Sequence, residues 1–131
     1  MKRLGLLGGM SWTSTATYDE ALNRRIGQKL GGHHSVECIL YSVDFAPLEE
    51  NMSERNWQGN IDILSKGAQS LESAGAEVAL LCTNTMHNVF YEVKASVRAL
   101  TFLHTADATA EAISVNNLNK NLLMVMTYTL K

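Results

Sequence analysis

Short apolar runs of strand length alternate along the chain with longer segments whose apolar residues recur at three- and four-residue steps. Arg3-Leu4-Gly5-Leu6-Leu7 reads as a buried strand, and Gly8-Gly9 after it as a tight turn. The cluster Thr13-Ser14-Thr15 offers hydroxyls to cap a helix that carries Tyr18, Leu22 and Ile26 on one face, and Gly31-Gly32 ends it. Val36 to Val43 is the second predicted strand. The sole proline, Pro47, follows in a polar stretch running to Arg55. From about Trp57 the positions Ile61, Leu64, Ala68 and Leu71 predict a second helix, closed by Gly75. Val78-Ala79-Leu80-Leu81-Cys82 predicts a third strand, Met86 to about Val97 a helix, Phe102-Leu103 a short fourth strand, and Ala106, Ala110 and Ile113 a last helix. Strand and helix alternate four times, which predicts an α/β fold: a doubly wound parallel sheet flanked by helices. Residues 1–115 form that domain. Residues 116–121 read as an Asn-rich linker, and Leu122 to Thr127 as the first strand of a second domain that is largely missing.

Composition narrows the class. A chain of 131 residues is the size of one ordinary domain. Eleven Lys and Arg against thirteen Asp and Glu give a net charge of −2, which argues against a nucleic-acid-binding surface. Hydrophobic residues at 46% and charged residues at 18% suit a packed core rather than a disordered chain. No apolar run approaches the ~20 residues needed to cross a bilayer. Gly8, Gly9, Ser11 and Trp12 interrupt what would have to be a secretory apolar region. Cys38 and Cys82 do not amount to a disulfide framework, so a cytoplasmic, reduced protein with no membrane association is expected.

In an open parallel sheet, ligands sit outside the carboxyl ends of the strands. Three polar segments are expected there: Gly8-Gly9-Met10-Ser11-Trp12, Asp44 to Arg55, and Cys82-Thr83-Asn84-Thr85-Met86-His87. The first and third turn directly from strand into helix, where backbone N–H groups and the helix dipole suit a carboxylate or phosphate. The glycines match neither G-x-G-x-x-G nor a phosphate-loop spacing, and equally suit a plain tight turn. Cys82 reads two ways: as a thiol acidified at a helix N-terminus, or as the last inward residue of its strand and chemically inert. Cys38 reads as structural. His33, His34 and Cys38 lack a fourth ligand spaced for zinc, so no metal is expected. His87 and His104 are candidates to hydrogen-bond the loops, and Met52, Met86 and Met124 read as core filler.

Four of these segments together resemble the aspartate/glutamate racemase family, most closely an enterobacterial branch specific for L-aspartate and L-glutamate. They are Gly5-Leu6-Leu7-Gly8-Gly9-Met10-Ser11-Trp12, Ser42-Val43-Asp44-Phe45, Leu81-Cys82-Thr83-Asn84-Thr85-Met86-His87 and Phe102-Leu103-His104-Thr105-Ala106-Asp107-Ala108-Thr109. The resemblance covers residues 1–115. It implies a racemase that uses no cofactor, built from two similar α/β domains with the amino acid between them. Each domain supplies one acid/base group, usually a cysteine, so that one removes the α-proton and the other returns a proton on the opposite face. The family's first cysteine stands immediately before the Asn. Here that position is Thr83, as the close branch also implies, with Cys82 one place earlier, so Thr83 takes the catalytic position. Asn84 and Thr85 would bind the substrate's α-carboxylate, and the Met10-Ser11 turn would close over it. Met52, Ser53 and Glu54 align with a segment that contacts the distal carboxylate through a basic side chain, for which Arg55 is the nearest candidate.

The second-domain cysteine lies outside these 131 residues. The alternative expectation is therefore a catalytically inactive half that binds a small acidic molecule or pairs with another chain. A nucleotide-binding flavodoxin-like module is a third reading, resting on fold alone. Because the face that normally meets the second domain would be bare, a homodimer is expected.

Overall fold

The computed structural model describes residues 2–116. Strand β1 (Leu4–Gly8) leads into helix α1 (Trp12–Leu30), strand β2 (Cys38–Ser42), helices α2 (Phe45–Ser53) and α3 (Trp57–Ser73), and strand β3 (Val78–Leu81). A 3₁₀ turn (Thr85–Val89) then runs into helix α4 (Phe90–Ala95), followed by strand β4 (Thr101–Leu103) and helix α5 (Thr105–Val115). The four strands are parallel and lie in the order β2-β1-β3-β4. The predicted α/β class and parallel sheet are thus observed. The predicted linker and following strand, from residue 117 onward, lie outside the described residues.

Strand alternation divides the sheet into two unequal faces. Leu7, Ala79, Leu81 and Phe102 point into one core cluster with Leu64, Ala68 and Leu71 of α3 and Phe90 and Val93 of α4. On the other face Leu6 is covered by α1, but Leu40 and Leu103 stay half exposed, and α5 buries no residue. The core is therefore built mainly between the sheet and the α3–α4 layer.

Two local expectations are corrected. The α1 cap is not the Thr13-Ser14-Thr15 cluster but Ser11, whose hydroxyl accepts from Ser14 N at 3.3 Å. A serine in extended conformation just before the first turn satisfies an N–H that the helix leaves bare. The polar stretch after β2 is not a loop, because Asp44 caps α2 by accepting from Ala46 N at 3.2 Å. Pro47 sits in the first turn of α2, where a missing N–H costs nothing, and Leu48 and Met52 anchor the helix in the core.

Helices α2 and α3 end on the same hydrogen-bond pattern. In α3, Gly75 N donates to Glu72 O at 2.9 Å and Ala76 N to Leu71 O at 3.0 Å, with Gly75 left-handed at φ 88°. In α2, Arg55 N donates to Met52 O at 3.2 Å and Asn56 N to Asn51 O at 2.7 Å, and here an arginine holds the left-handed position at φ 58°.

Candidate functional site

The strand order fixes where a ligand can sit. From β1 the chain steps one way to β2, and then returns to the other side of β1 for β3, so the order reverses between β1 and β3. At such a switch point the loops leaving the two strands diverge and open a crevice at their carboxyl ends. The loops in question are Gly9-Met10-Ser11 and Cys82-Thr83-Asn84. Ser14 Oγ, in the first turn of α1, donates to Cys82 O at 3.4 Å and joins the two. The start of the segment from Asp44 to Arg55 is adjacent, since Val43 N donates to Gly8 O at 3.0 Å.

The first loop is shaped by its glycines and by one threonine. A Cβ on Gly8 would meet Thr15 Oγ1 and Cγ2 at 2.5 Å. Gly9 is left-handed at φ 91°, and a Cβ there would run into the Val43 carbonyl. The space so left is used by Thr15, 4% exposed, whose Oγ1 accepts from Gly9 N at 3.0 Å and donates to Ser11 O at 3.2 Å. One side chain therefore holds both ends of the turn. Ser11 is exposed at the opening, with its hydroxyl 2.8 Å from Thr13 Oγ1. The Met10 side chain points the other way, into the core at 5% exposure, and leaves its backbone to the crevice.

In the second loop Cys82 is fully buried and Thr83 half buried, while Asn84 is exposed and Thr85 half buried at the start of the 3₁₀ turn. Burial pushes the Cys82 thiol up to about 12, and the charge of a Cys82 thiolate would raise the Tyr18 hydroxyl on α1, which burial already raises. Complete burial agrees with the second reading of Cys82, as the last inward residue of its strand. The residue is the inert end of its strand, because an uncompensated thiolate is disfavoured in an apolar setting. Cys38 is likewise raised, by burial and then by Asp19 at 3.8 Å.

His87 anchors the loop from beneath. Its Nε2 lies 3.0 Å from Thr105 Oγ1, and its ring stacks on Phe90 at 5.5 Å and meets His104 edge-on at 4.6 Å. Burial, then the charge of His104, lower its proton affinity, while the carbonyls of Thr83 and Asn84 pull the other way. His104 caps α5 by accepting from Ala106 N at 3.2 Å. Both histidines thus tie the loop to the β4–α5 junction.

The segment from Asp44 to Arg55 holds a buried part and an exposed part. Met52 is 5% exposed and belongs, with Met10 and Met86, to the core cluster. Its side chain is floor rather than lining. Ser53, Glu54 and Arg55 are exposed at the end of α2. Sequence reasoning missed Thr15, hidden in what looked like a capping cluster, and Asn60, a fully buried amide whose Oδ1 and Nδ2 both lack a partner. The signal for Asn60 was present: it lies four residues before Leu64 on the apolar stripe of α3. No group of three or more metal-ligating side chains occurs among the described residues. No helix among them is long and apolar enough to cross a membrane.

A parallel α/β lobe whose strand order reverses between β1 and β3 is of the class in which ligands generally sit outside the carboxyl ends of the strands. The family model described as Asp/Glu/hydantoin racemase matches residues 7–129, and the chain belongs to that family. A Yersinia pestis protein described as a candidate Asp/Glu racemase is 48% identical, with a TM-score of 0.85 over 89% of this chain and 50% of that one. An aspartate racemase homologue from Pyrococcus horikoshii is 32% identical, with a TM-score of 0.77 over 88% of this chain and 50% of that one. Picrophilus torridus aspartate racemase is 25% identical, with a TM-score of 0.68 over 98% of this chain and 84% of that one. The chain thus spans half the length of the first two structures.

Proposed function

We propose that this chain is one lobe of a cofactor-independent racemase acting on aspartate, glutamate or a related amino acid. The observation that carries the reading is the meeting of the Gly9–Ser11 turn and the Thr83–Thr85 loop at the switch point, joined through Ser14 and Cys82. In this reading Asn84, Thr85 and Ser11 hold the α-carboxylate by hydrogen bonds, and the backbone of Met10 closes over it. Arg55, flanked by Ser53 and Glu54 on a turn floored by Met52, offers its charge to the distal carboxylate. Thr83 faces the α-carbon from this side. Without a cofactor to delocalise the carbanion, racemisation rests on hydrogen-bond donors at the carboxylate and on two opposed acid/base groups.

One observation favours a second reading, in which the lobe binds its ligand without turning it over. The only thiol beside the crevice, Cys82, is fully buried with its proton held to about 12, so the described residues hold no thiol base. Loss of one essential acid/base group commonly costs orders of magnitude in rate. The deciding experiment follows α-proton exchange of L-aspartate and L-glutamate in heavy water by NMR, with this chain and with Thr83→Ala. Exchange that vanishes in the variant supports the racemase reading. No exchange above buffer from folded protein, with a dicarboxylate still shifting the Asn84 and Thr85 amides, establishes the binding reading instead.

A further inference from the structure

The bonds around His87 fix which of its ring nitrogens carries the proton. Thr105 N, at the start of α5, donates to His87 Nε2 at 3.4 Å, and Thr105 Oγ1 lies 3.0 Å from the same atom. An amide nitrogen can only donate, so Nε2 accepts and bears no proton. Burial, and then the charge of His104, disfavour a second proton on the ring. A neutral imidazole with a bare Nε2 carries its proton on Nδ1. The ring has little freedom to turn, since it stacks on Phe90 within 7° of parallel and meets His104 edge-on.

That proton has one evident destination. Nδ1 is buried and makes no hydrogen bond of ordinary geometry, yet the carbonyls of Thr83 and Asn84 lie close enough to favour its proton. The backbone N–H of His87 donates to Asn84 O at 3.0 Å. Two donors of one residue therefore face two successive carbonyls of the loop. The carbonyl and N–H of a trans peptide point to opposite sides, so holding these carbonyls on the His87 side turns the Asn84 and Thr85 N–H groups away from it. A buried donor left unmatched is costly, and a small movement of the loop toward the ring would complete the bond. Functional hydrogen bonds are often long in the free protein and tighten only in its complex.

We propose that His87 is a positioning residue for the ligand loop. Held by Thr105 as the Nδ1–H tautomer, it donates to the Thr83 and Asn84 carbonyls and draws the loop tight when a dicarboxylic amino acid binds. The imidazole thus bridges the first turn of α5 to the residues that take the carboxylate. The identity of the ligand rests on the racemase reading, whereas the tautomer and its bond to the loop belong to the free lobe.

NMR of the full chain, with nitrogen-15 in its histidines and carbon-13 in its carbonyls, tests this directly. At neutral pH His87 should show a protonated Nδ1 and a bare Nε2. The Thr83 and Asn84 carbonyl resonances should move in His87→Phe, which keeps an aromatic ring against Phe90 but has no N–H to give. His87→Asn places a side-chain N–H where Nδ1 stands and should leave those resonances near their wild-type positions. By calorimetry His87→Asn should bind L-aspartate within about threefold of wild type and His87→Phe about tenfold more weakly, the scale of one lost hydrogen bond. A proton on Nε2 in the wild-type chain would overturn the proposal without recourse to any variant. Loop carbonyls indifferent to His87→Phe, or an Asn variant as impaired as the Phe variant, would overturn it too. If the wild-type chain binds no L-aspartate, the racemase reading falls, while the tautomer and the carbonyl response to His87→Phe still decide the role of His87.

Discussion

Thr15 is where the shape of the crevice and the stability of the fold can be weighed in one substitution. Thr15→Val keeps the branching at Cβ and removes only the hydroxyl, which accepts from Gly9 N at 3.0 Å and donates to Ser11 O at 3.2 Å. Gly9 is buried, so its N–H would be left without a partner and away from water. An orphaned buried donor costs about 1–3 kcal/mol. Valine and threonine are both β-branched with nearly equal helix propensity, so that contribution is close to nil. For a chain of 131 residues each kcal/mol corresponds to about 3–5 °C in Tm, so Thr15→Val should lower Tm by about 3–15 °C. The hydroxyl also restrains the Gly9–Ser11 turn, so the Gly9 amide should exchange faster with heavy water than those of Leu6 and Leu7, which stay in the sheet. Thr15→Ser retains the hydroxyl and should keep the slow Gly9 exchange while losing about 1 kcal/mol for the deleted methyl. If Thr15→Val unfolds within 0.5 kcal/mol of wild type with Gly9 exchange unchanged, the threonine does not hold the turn and the reasoning is wrong.

Three further outcomes follow from other parts of the structure. Asn60→Leu keeps the branching at Cγ while removing two buried polar atoms that have no partner; chemical denaturation should show a gain of about 1–2 kcal/mol, whereas a loss would mean the amide is satisfied by a bound water. Glu72 Oε1 accepts from Ala99 N at 2.6 Å, Arg98 N at 2.8 Å and Leu100 N at 3.2 Å, and these bonds, led by Ala99, hold its carboxyl below the ordinary value. A depressed folded-state value stabilises at pH above the ordinary carboxylate range and is lost as pH falls through the folded value, so Glu72→Gln should lower Tm at neutral pH and match wild type in acid. Arg55→Gly relieves a left-handed arginine worth about 1–2 kcal/mol and gives part of that back as chain entropy; Tm should rise slightly while affinity for a dicarboxylic amino acid falls, and an unchanged affinity by calorimetry would remove Arg55 from the site.

The fold was readable where packing and local preference agree. β1, α1, α3 and β3 combine apolar runs with glycine boundaries, and both signals mark the same ends. The reading failed where an end is made by an unusual residue. α2 opens on Asp44 and closes on Arg55 in a position that glycine normally fills, so without a glycine at its end the nine-residue helix looked like polar loop. The crevice was readable because strand ends and their following loops are visible in the pattern, and the order reversal at β1 then places two of them side by side. What could not be read is burial within those segments. Met10 and Thr15 carry no mark in the sequence of facing inward, and only packing decides it, whereas Met52, read both as core filler and as part of the site segment, proves to be core. Asn60 was masked for the opposite reason, since a polar residue on an apolar stripe reads as a surface position.

The single step from Cys82 to Thr83 sets what proton chemistry this lobe can support. In β3 the residues Ala79 and Leu81 point toward α3, so Val78, Leu80 and then Cys82 point toward α1, where Tyr18 feels the sulfur. Burial pushes its thiol up to about 12, so Cys82 stays protonated at neutral pH. Uncovering it would mean moving α1 off the sheet. Thr83 stands one residue later, half buried as the chain leaves the strand, with a hydroxyl that can donate and accept but hardly ionises at neutral pH. In the proposed reading Asn84, Thr85 and Ser11 would fix and polarise a carboxylate, but the lobe's own residues give a proton only a weak path. Any fast exchange at the α-carbon must therefore draw its strong base from a group on the open side of the crevice, the side that the carboxyl ends of β1 and β3 face.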